Sequence, residues 1–279
     1  MTRHQSAGKG AAGTARTLLF VPGTVPERFA KASATEADLV VLDLEDAVPD
    51  EHKLSARGAV AALLDGEKQA AVRLNAVASR HHHADVSALV GLAGLSAVVV
   101  PMADNSSDLY ALHRQLGPDV EIIALVETAL GLTRAVDIAS TPGVTRLAFG
   151  HLDFAVDIDA EIGEEPMLLA RSSLVIASRA AGLSGPVDGV TTALDDGAVA
   201  GAEARRSRRL GFTGKLCIHP RQVDPVNAAF TPSAEDVVWA RRVLEGRGAG
   251  GAARVDGHMI DAPITLRAEA ILTRAGQET

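Results

Sequence analysis

The sequence predicts an α/β fold, a single (β/α)8 TIM barrel with a C-terminal helical extension. Three observations carry this. From Thr17 to Phe230, eight short β-rich runs alternate with eight longer Ala-rich amphipathic stretches, the rhythm of a parallel sheet with crossover helices. Several of the runs are apolar without alternation, as in strands buried on both faces. The first run is followed by Pro22-Gly23-Thr24, with no G-x-G-x-x-G, which disfavours a doubly wound dinucleotide fold.

Residues 1–16 carry Arg3, Lys9 and Arg16, no acid and no apolar h-region. They read as a disordered start rather than a secretory signal. The barrel then occupies 17–230. Its predicted strands are Thr17–Val21, Leu39–Leu44, Ala71–Leu74, Ala97–Val100, Glu121–Val126, Arg146–Phe149, Val187–Thr192 and Lys215–Ile218. Between them, Pro26–Ala34 has helical spacing, and Asp50–Leu64 follows Pro49 with acids in its first turn. Ala84–Leu92, Ser106–Leu116, Ala129–Ala139, Met167–Ala181, Gly197–Leu210 and Gln222–Phe230 complete the helices, with Gly182 and Gly211 as C-terminal stops. Residues 231–279 form the extension or lid. Ser233 caps a helix to Glu245, Gly246–Gly251 is a flexible connector, Arg254–Ile260 is a short segment, and Ile264–Ala275 is the last helix.

Composition narrows the function. The 279 residues are 47% hydrophobic, enough for a sizeable core, and carry a net charge of −8. That balance, with only six Phe, one Trp and one Tyr, argues against nucleic-acid binding. Cys217 stands alone, which excludes an internal disulfide. No run approaches the ~20 apolar residues of a membrane span. The expectation is a soluble cytoplasmic protein.

In a barrel enzyme the chemistry sits at the C-terminal ends of the strands. Those ends carry Asp43, Glu45 and Asp46, then Arg73 and Asn75, then Glu127, Asp153, Asp188 and His219. Carboxylates gathered in one mouth repel one another unless a cation sits among them. Oxygen ligands favour Mg2+ or Mn2+, and Mg2+ takes one or two protein carboxylates; Glu127 and Asp153, on adjacent strands, suit it. Arg73 lies in an apolar strand and needs a partner. It either bridges Glu45 or Asp46, or clamps a substrate carboxylate in bidentate fashion. An arginine and a metal together suit an anionic oxo-acid. His81-His82-His83 reads as a solvated loop, and Cys217 as a small buried hydrophobe.

The ordered set LLFVPGTVPERFAKA (18–32), DLVVLDLEDAV (38–48), Lys53 with Arg57, VRLN (72–75), IALVETALGL (123–132), LAFGHLDF (147–154), VDGVTT (187–192), GFTGKLCIHPRQVDPVNAAFTPS (211–233) and DGHMIDAP (256–263) resembles the citrate lyase beta subunit-like branch of the aldolase/citrate lyase superfamily, which includes malyl-CoA lyases. The resemblance implies a Mg2+-dependent carbon–carbon lyase or ligase acting on an acyl-CoA and an oxo-acid. It implies metal ligands at Glu127 and Asp153, a substrate clamp at Arg73, and Glu45 and Asp46 holding metal-bound waters. It implies acid/base chemistry by Asp261 from a neighbouring subunit, and a CoA or acyl-thioester channel lined by Phe20, Lys31, Ile218 and His219. Trimers, or hexamers built from trimers, are expected. Three positions depart from the pattern: Met102 stands where a lysine is usual, Val25 where some malyl-CoA lyases have a basic residue, and His151-Leu152 replaces Ala-Glu or Ala-Ala. The departures keep other readings open: a CoA-independent oxo-acid aldolase, an acyl-CoA thioesterase, or a subunit active only within a citrate lyase complex.

Overall fold

The computed structural model describes residues 11–66, 68–246, 254–255, 258–259 and 261–276. Eight parallel strands close into a barrel in sequence order: β1 (Thr17–Pro22), β2 (Leu39–Asp43), β3 (Ala70–Arg73), β4 (Leu95–Val100), β5 (Glu121–Val126), β6 (Val144–Phe149), β7 (Val187–Asp188) and β8 (Gly214–Cys217). Closure is made by β1, which pairs with both β2 and β8. Helices accompany the strands: α1 (Ala11–Thr14), α2 (Phe29–Ser33), α3 (Lys53–Leu64), α4 (His82–Leu89), α5 (Ser106–Leu116), α6 (Ala129–Thr133), α7 (Ala135–Ala139), α8 (His151–Asp157), α9 (Glu164–Ala180), α10 (Gly197–Leu210) and α11 (Val223–Phe230). The (β/α)8 barrel predicted from sequence is therefore the fold.

Alternate residues of each strand face inward. Leu18, Val41, Ala71, Ala97, Val99, Ile123, Leu125, Ala148, Val187 and Leu216 form one buried cluster. Small Ala residues on β3, β4 and β6 leave room for the branched side chains opposite, the jigsaw that a filled barrel interior needs.

Contact density divides the chain between Asn227 and Ala228, inside α11. The second unit holds α12 (Ala234–Gly246) and α13 (Ala262–Arg274), packed on each other through Ala240, Val243, Ala268, Ile271 and Leu272. Ser233 and Asp236 cap α12 reciprocally, at 3.0 and 3.1 Å. Within the predicted segment 254–260, β9 (Arg254–Val255) and β10 (His258–Met259) pair antiparallel. Ile260 lies outside the described residues, as do 247–251 of the expected connector.

Several sequence-based boundaries change. The disordered start was expected to reach residue 16, but Ala11–Thr14 is a helical turn and Ala12 and Ala15 are buried; residues 1–10 lie outside the described residues. The turn carries no apolar period in the sequence; Ala12 and Ala15 join the barrel's buried cluster, and polar contacts fix the backbone. The carbonyls of Ala12 and Ala15 accept from Arg146 at 3.2 and 2.5 Å, and Glu121 takes the Ala12 amide at 3.1 Å. The single helix expected over Ala129–Ala139 breaks at Arg134, whose guanidinium reaches the Asp104 carbonyl. The seventh strand stops at Asp188 because the Gly189 carbonyl turns to accept from Lys215 Nζ at 2.6 Å. The triple histidine is no solvated loop: His82 starts α4, with Nδ1 2.8 Å from the Asn75 carbonyl, and His81 Nε2 lies 3.1 Å from Asp50.

Candidate active site

The inward parity that buries Leu18, Val41, Ala71, Leu125 and Leu216 also sends the next inward residues, Phe20, Asp43, Arg73, Glu127 and Ile218, into the barrel mouth. They line a cavity of about 400 Å3 together with Asp46, Phe149, His151, Asp153 and Val190. Charge is sorted around the rim. Strands β2, β3, β5 and β6 contribute the charged residues; β7, β8 and β1 contribute Val190, Leu216, Ile218 and Phe20.

Arg73 organises the charged half. Its Nε and Nη2 grip Asp43 in a bidentate pair at 2.8 and 2.5 Å. Its Nη1 meets Glu45 at 2.8 Å and Asp46 at 3.3 Å, and its face covers the Phe20 ring at 5.1 Å. Burial opposes the guanidinium charge, but these acids outweigh it and raise its pKa. Asp46 is the loosest partner, with its side chain 72% exposed. Lys53 fixes the loop that carries these acids: its buried Nζ donates to the Leu44 and Glu45 carbonyls and to Asn75 Oδ1, all within 2.8 Å.

Glu127 is buried at the end of β5. Its Oε1 accepts the Met102 amide at 2.7 Å. Met102 holds a φ of +47°, left-handed for a non-glycine residue. A Cβ on Gly150 would run into the Glu127 carboxylate, so glycine is what lets the β6 turn pass. Burial and the nearby Asp153 push Glu127 up to about 7 against the pull of Met102 and Arg73. Burial, with Asp46 and Glu127 nearby, lifts Glu45 to about 8 despite Arg73. Burial and Asp46 also raise Asp153.

Four acids and one arginine line this cavity. The surplus negative charge must be met by protons, as the raised values record, or by a cation. Among the described residues no three His, Cys, Asp or Glu side chains form a closed metal cage. Two carboxylates beside open space are instead the donor set of a Mg2+ that keeps waters for its substrate; the residues fit that ion.

Of the residues singled out from sequence, Phe20, Asp46, Arg73, Glu127, Asp153 and Ile218 meet in the cavity, and Glu45 joins through Arg73. Lys31 is exposed on α2 and does not line it. His219 caps the next turn, its Nδ1 accepting the Arg221 amide at 3.1 Å. Asp261, in the second unit, caps α13 by accepting the Ile264 amide at 3.0 Å. Cys217 is buried and its thiol is pushed up to about 12 by that burial, the setting of a small buried hydrophobe. Sequence reasoning noted Asp43 but missed it as the main partner of Arg73; alternation with Val41 was the available signal. It also missed the Met102 amide, for which the sequence carries none.

A family model described as HpcH/HpaI aldolase/citrate lyase matches residues 16–220. The chain belongs to this family. All eight strands and every cavity residue of this family member fall inside the match; Asp261 lies beyond it. The citrate lyase subunit beta-like protein of Mycobacterium tuberculosis is 36% identical over 273 residues, covering 94% of this chain and 96% of its own. A (3S)-malyl-CoA thioesterase of Cereibacter sphaeroides is 33% identical, with 92% and 95% covered. A crystal structure of the CitE protein of M. tuberculosis with magnesium, acetoacetate and coenzyme A is similar at a TM-score of 0.83 and 34% identity, covering 95% of this chain and 99% of that one.

Proposed function

We propose that this protein is a Mg2+-dependent carbon–carbon lyase that cleaves, or in reverse forms, a 3-hydroxy-acyl thioester from an acyl-CoA and an oxo-acid. The observation that carries this is Glu127 beside Asp153 in a cavity whose acids outnumber its one arginine. The magnesium, oxo-acid and coenzyme A bound by the similar CitE protein support it.

Glu127 and Asp153 hold the ion, and Glu45 and Asp46 hold its waters. When bound, Mg2+ supplies Lewis-acid polarisation of the keto oxygen. Arg73 Nη1 takes the oxo-acid carboxylate as the exposed Asp46 yields its place. Asp261 of a neighbouring copy removes the thioester α-proton, which requires a homo-oligomer, a trimer or hexamer. The freed electron pair forms the C–C bond to the keto carbon, and the keto oxygen takes a proton to become the 3-hydroxyl. Cleavage runs the same steps backwards. Strands β8 and β1 are neighbours, so His219 and Lys31, in the segments that follow them, extend the Ile218–Phe20 side into a thioester channel.

The test is a turnover screen of purified protein with Mg2+, several acyl-CoAs and several oxo-acids. Wild type is expected to turn over alone, which a subunit active only inside a complex does not do. Glu127→Gln with Asp153→Asn abolishes Mg2+-dependent turnover; retained activity removes the metal assignment. Asp261→Asn loses chemistry and keeps oxo-acid binding, and mixing it with the Glu127/Asp153 variant restores activity through shared sites. Thioesterase relatives favour one second reading, hydrolysis at the same site. Release of free 3-hydroxy-acid rather than oxo-acid from the thioester identifies it. Met102 favours another, a CoA-independent aldolase; turnover of free hydroxy-acids without any CoA thioester is its sign.

A further inference from the structure

We propose that His151 is a catalytic hydrogen-bond donor to the thioester carbonyl oxygen, the atom on which negative charge develops when the α-proton leaves. This rests on the lyase reading of the cavity and deepens it.

His151 is 91% buried by its 9% exposure, yet lines the cavity. Its ring is wedged. Phe149 packs on it at 6.2 Å between centroids, and Gly189 closes on its Nδ1 edge so tightly that a Cβ there would strike the ring nitrogen. Nδ1 is buried and has no hydrogen-bond partner. A proton on Nδ1 of a neutral ring would have no acceptor, so the proton sits on Nε2; in the charged ring both nitrogens carry one. Either way Nε2 presents an N–H. Nothing among the described residues accepts it, and Nε2 is not among the buried unpartnered atoms. It is the ring nitrogen left to meet a molecule in the cavity.

The position selects the molecule. His151 opens α8 just past β6, where the charged half of the rim (Arg73, Glu127, Asp153) gives way to the apolar half (Val190, Leu216, Ile218). The charged half takes the oxo-acid, and the apolar half suits the acyl-thioester. The join between them is where the reacting carbons meet. As the base takes the α-proton, the C–H pair becomes the enolate C=C and the carbonyl π pair moves to oxygen. Nε2–H hydrogen-bonds to that oxygen without transferring its proton. The enolate pair then attacks the keto carbon. A donor fixed beforehand at developing charge is the arrangement that lowers such a barrier.

Three variants test it. His151→Phe keeps ring packing and removes the donor; His151→Gln keeps a donor; His151→Ala removes both. Turnover and α-hydrogen exchange of an acyl-CoA into D2O are read, with Mg2+ and oxo-acid binding by calorimetry. His151→Phe is expected to lose about 100- to 1,000-fold in kcat and in exchange rate, with KM for oxo-acid and Mg2+ affinity unchanged and His151→Gln partly restored. A CoA thioether lacking the carbonyl should bind wild type and His151→Phe equally. Wild-type turnover with an equally active His151→Phe overturns the proposal. So does loss of oxo-acid binding in all three variants, which makes the ring a packing residue. No Mg2+-dependent turnover or exchange in wild type instead sinks the lyase reading beneath it.

Discussion

At the residue scale the site depends on how one carboxylate is aimed. Glu127 is held between the Met102 amide and the bare Cα of Gly150. Gly150→Ala places a methyl where the carboxylate lies, and Mg2+ affinity should fall about 10- to 100-fold, measured by calorimetry, with little change in the circular dichroism spectrum. Met102 offers a cleaner dissection. Met102→Gly keeps the amide and relieves about 1 kcal/mol of left-handed strain, offset by a similar loss of backbone entropy; its stability and metal binding should match wild type. Met102→Pro removes the N–H and forbids the positive φ, so metal binding should weaken. Equal Mg2+ affinity in the two variants would show that the amide does not matter. The carboxylates themselves were legible, because strand ends announce the mouth and period two announces the inward face. The turn at Met102 was not: its φ is imposed by tertiary contact, and the flanking Pro101 and Ala103 say nothing of it.

At the element scale β7 is the thin part of the wall. A single register pair joins it to β6 and two join it to β8. What secures it lies on its outward side. Fully buried Asp188 accepts from Arg171 Nε at 2.9 Å and from the Ser207 hydroxyl, with Lys215 Nζ 3.9 Å away. Lys215 also meets Glu203 at 3.1 Å. Burial alone would push the Asp188 carboxyl up; Lys215, Arg171 and Ser207 hold it down. Asp188→Ala should cost about 3–5 kcal/mol by leaving the buried Arg171 guanidinium without its carboxylate, read from urea unfolding, whereas a cost within the ordinary surface range would mean the ladder carries the strand unaided. This network explains why the predicted strand ran too long. Val187–Thr192 is β-rich, but side chains take over the carbonyl that a ladder would have used. Helix α8 went unseen for the reverse reason: its seven residues, opening on His-Leu-Asp after the Gly150 cap, have a polar start and no sustained apolar period.

At the scale of the whole molecule the acidic mouth makes stability depend on pH and on metal. Glu127 near 7 and Glu45 near 8 stand above their ordinary 4.5, and together they outweigh His151, which burial pushes down to about 4, so through this range the folded chain binds more protons than the unfolded one. Without metal, stability should therefore fall as pH rises from about 5 to about 8. In EDTA the thermal midpoint should drop across that range, and Mg2+ should raise it most at the alkaline end; a midpoint that climbs with pH in EDTA would contradict the charge surplus. The barrel was legible because eight buried strands leave a repeating signature over some two hundred residues. Its floor was not, because it is built from single polar contacts between distant segments. There Arg146 is fully buried and donates to the Ala12 and Ala15 carbonyls, the Gly185 carbonyl and Thr213 Oγ1, with burial lowering its pKa to about 10. Half of its acceptors are thus made before it on the ribosome and half after it. A nascent chain that ends before Thr213 holds a guanidinium with no full set of acceptors, and β1 still waits for β8. Vectorial synthesis cannot finish this protein strand by strand: the earliest and latest segments must lock together in one closing event.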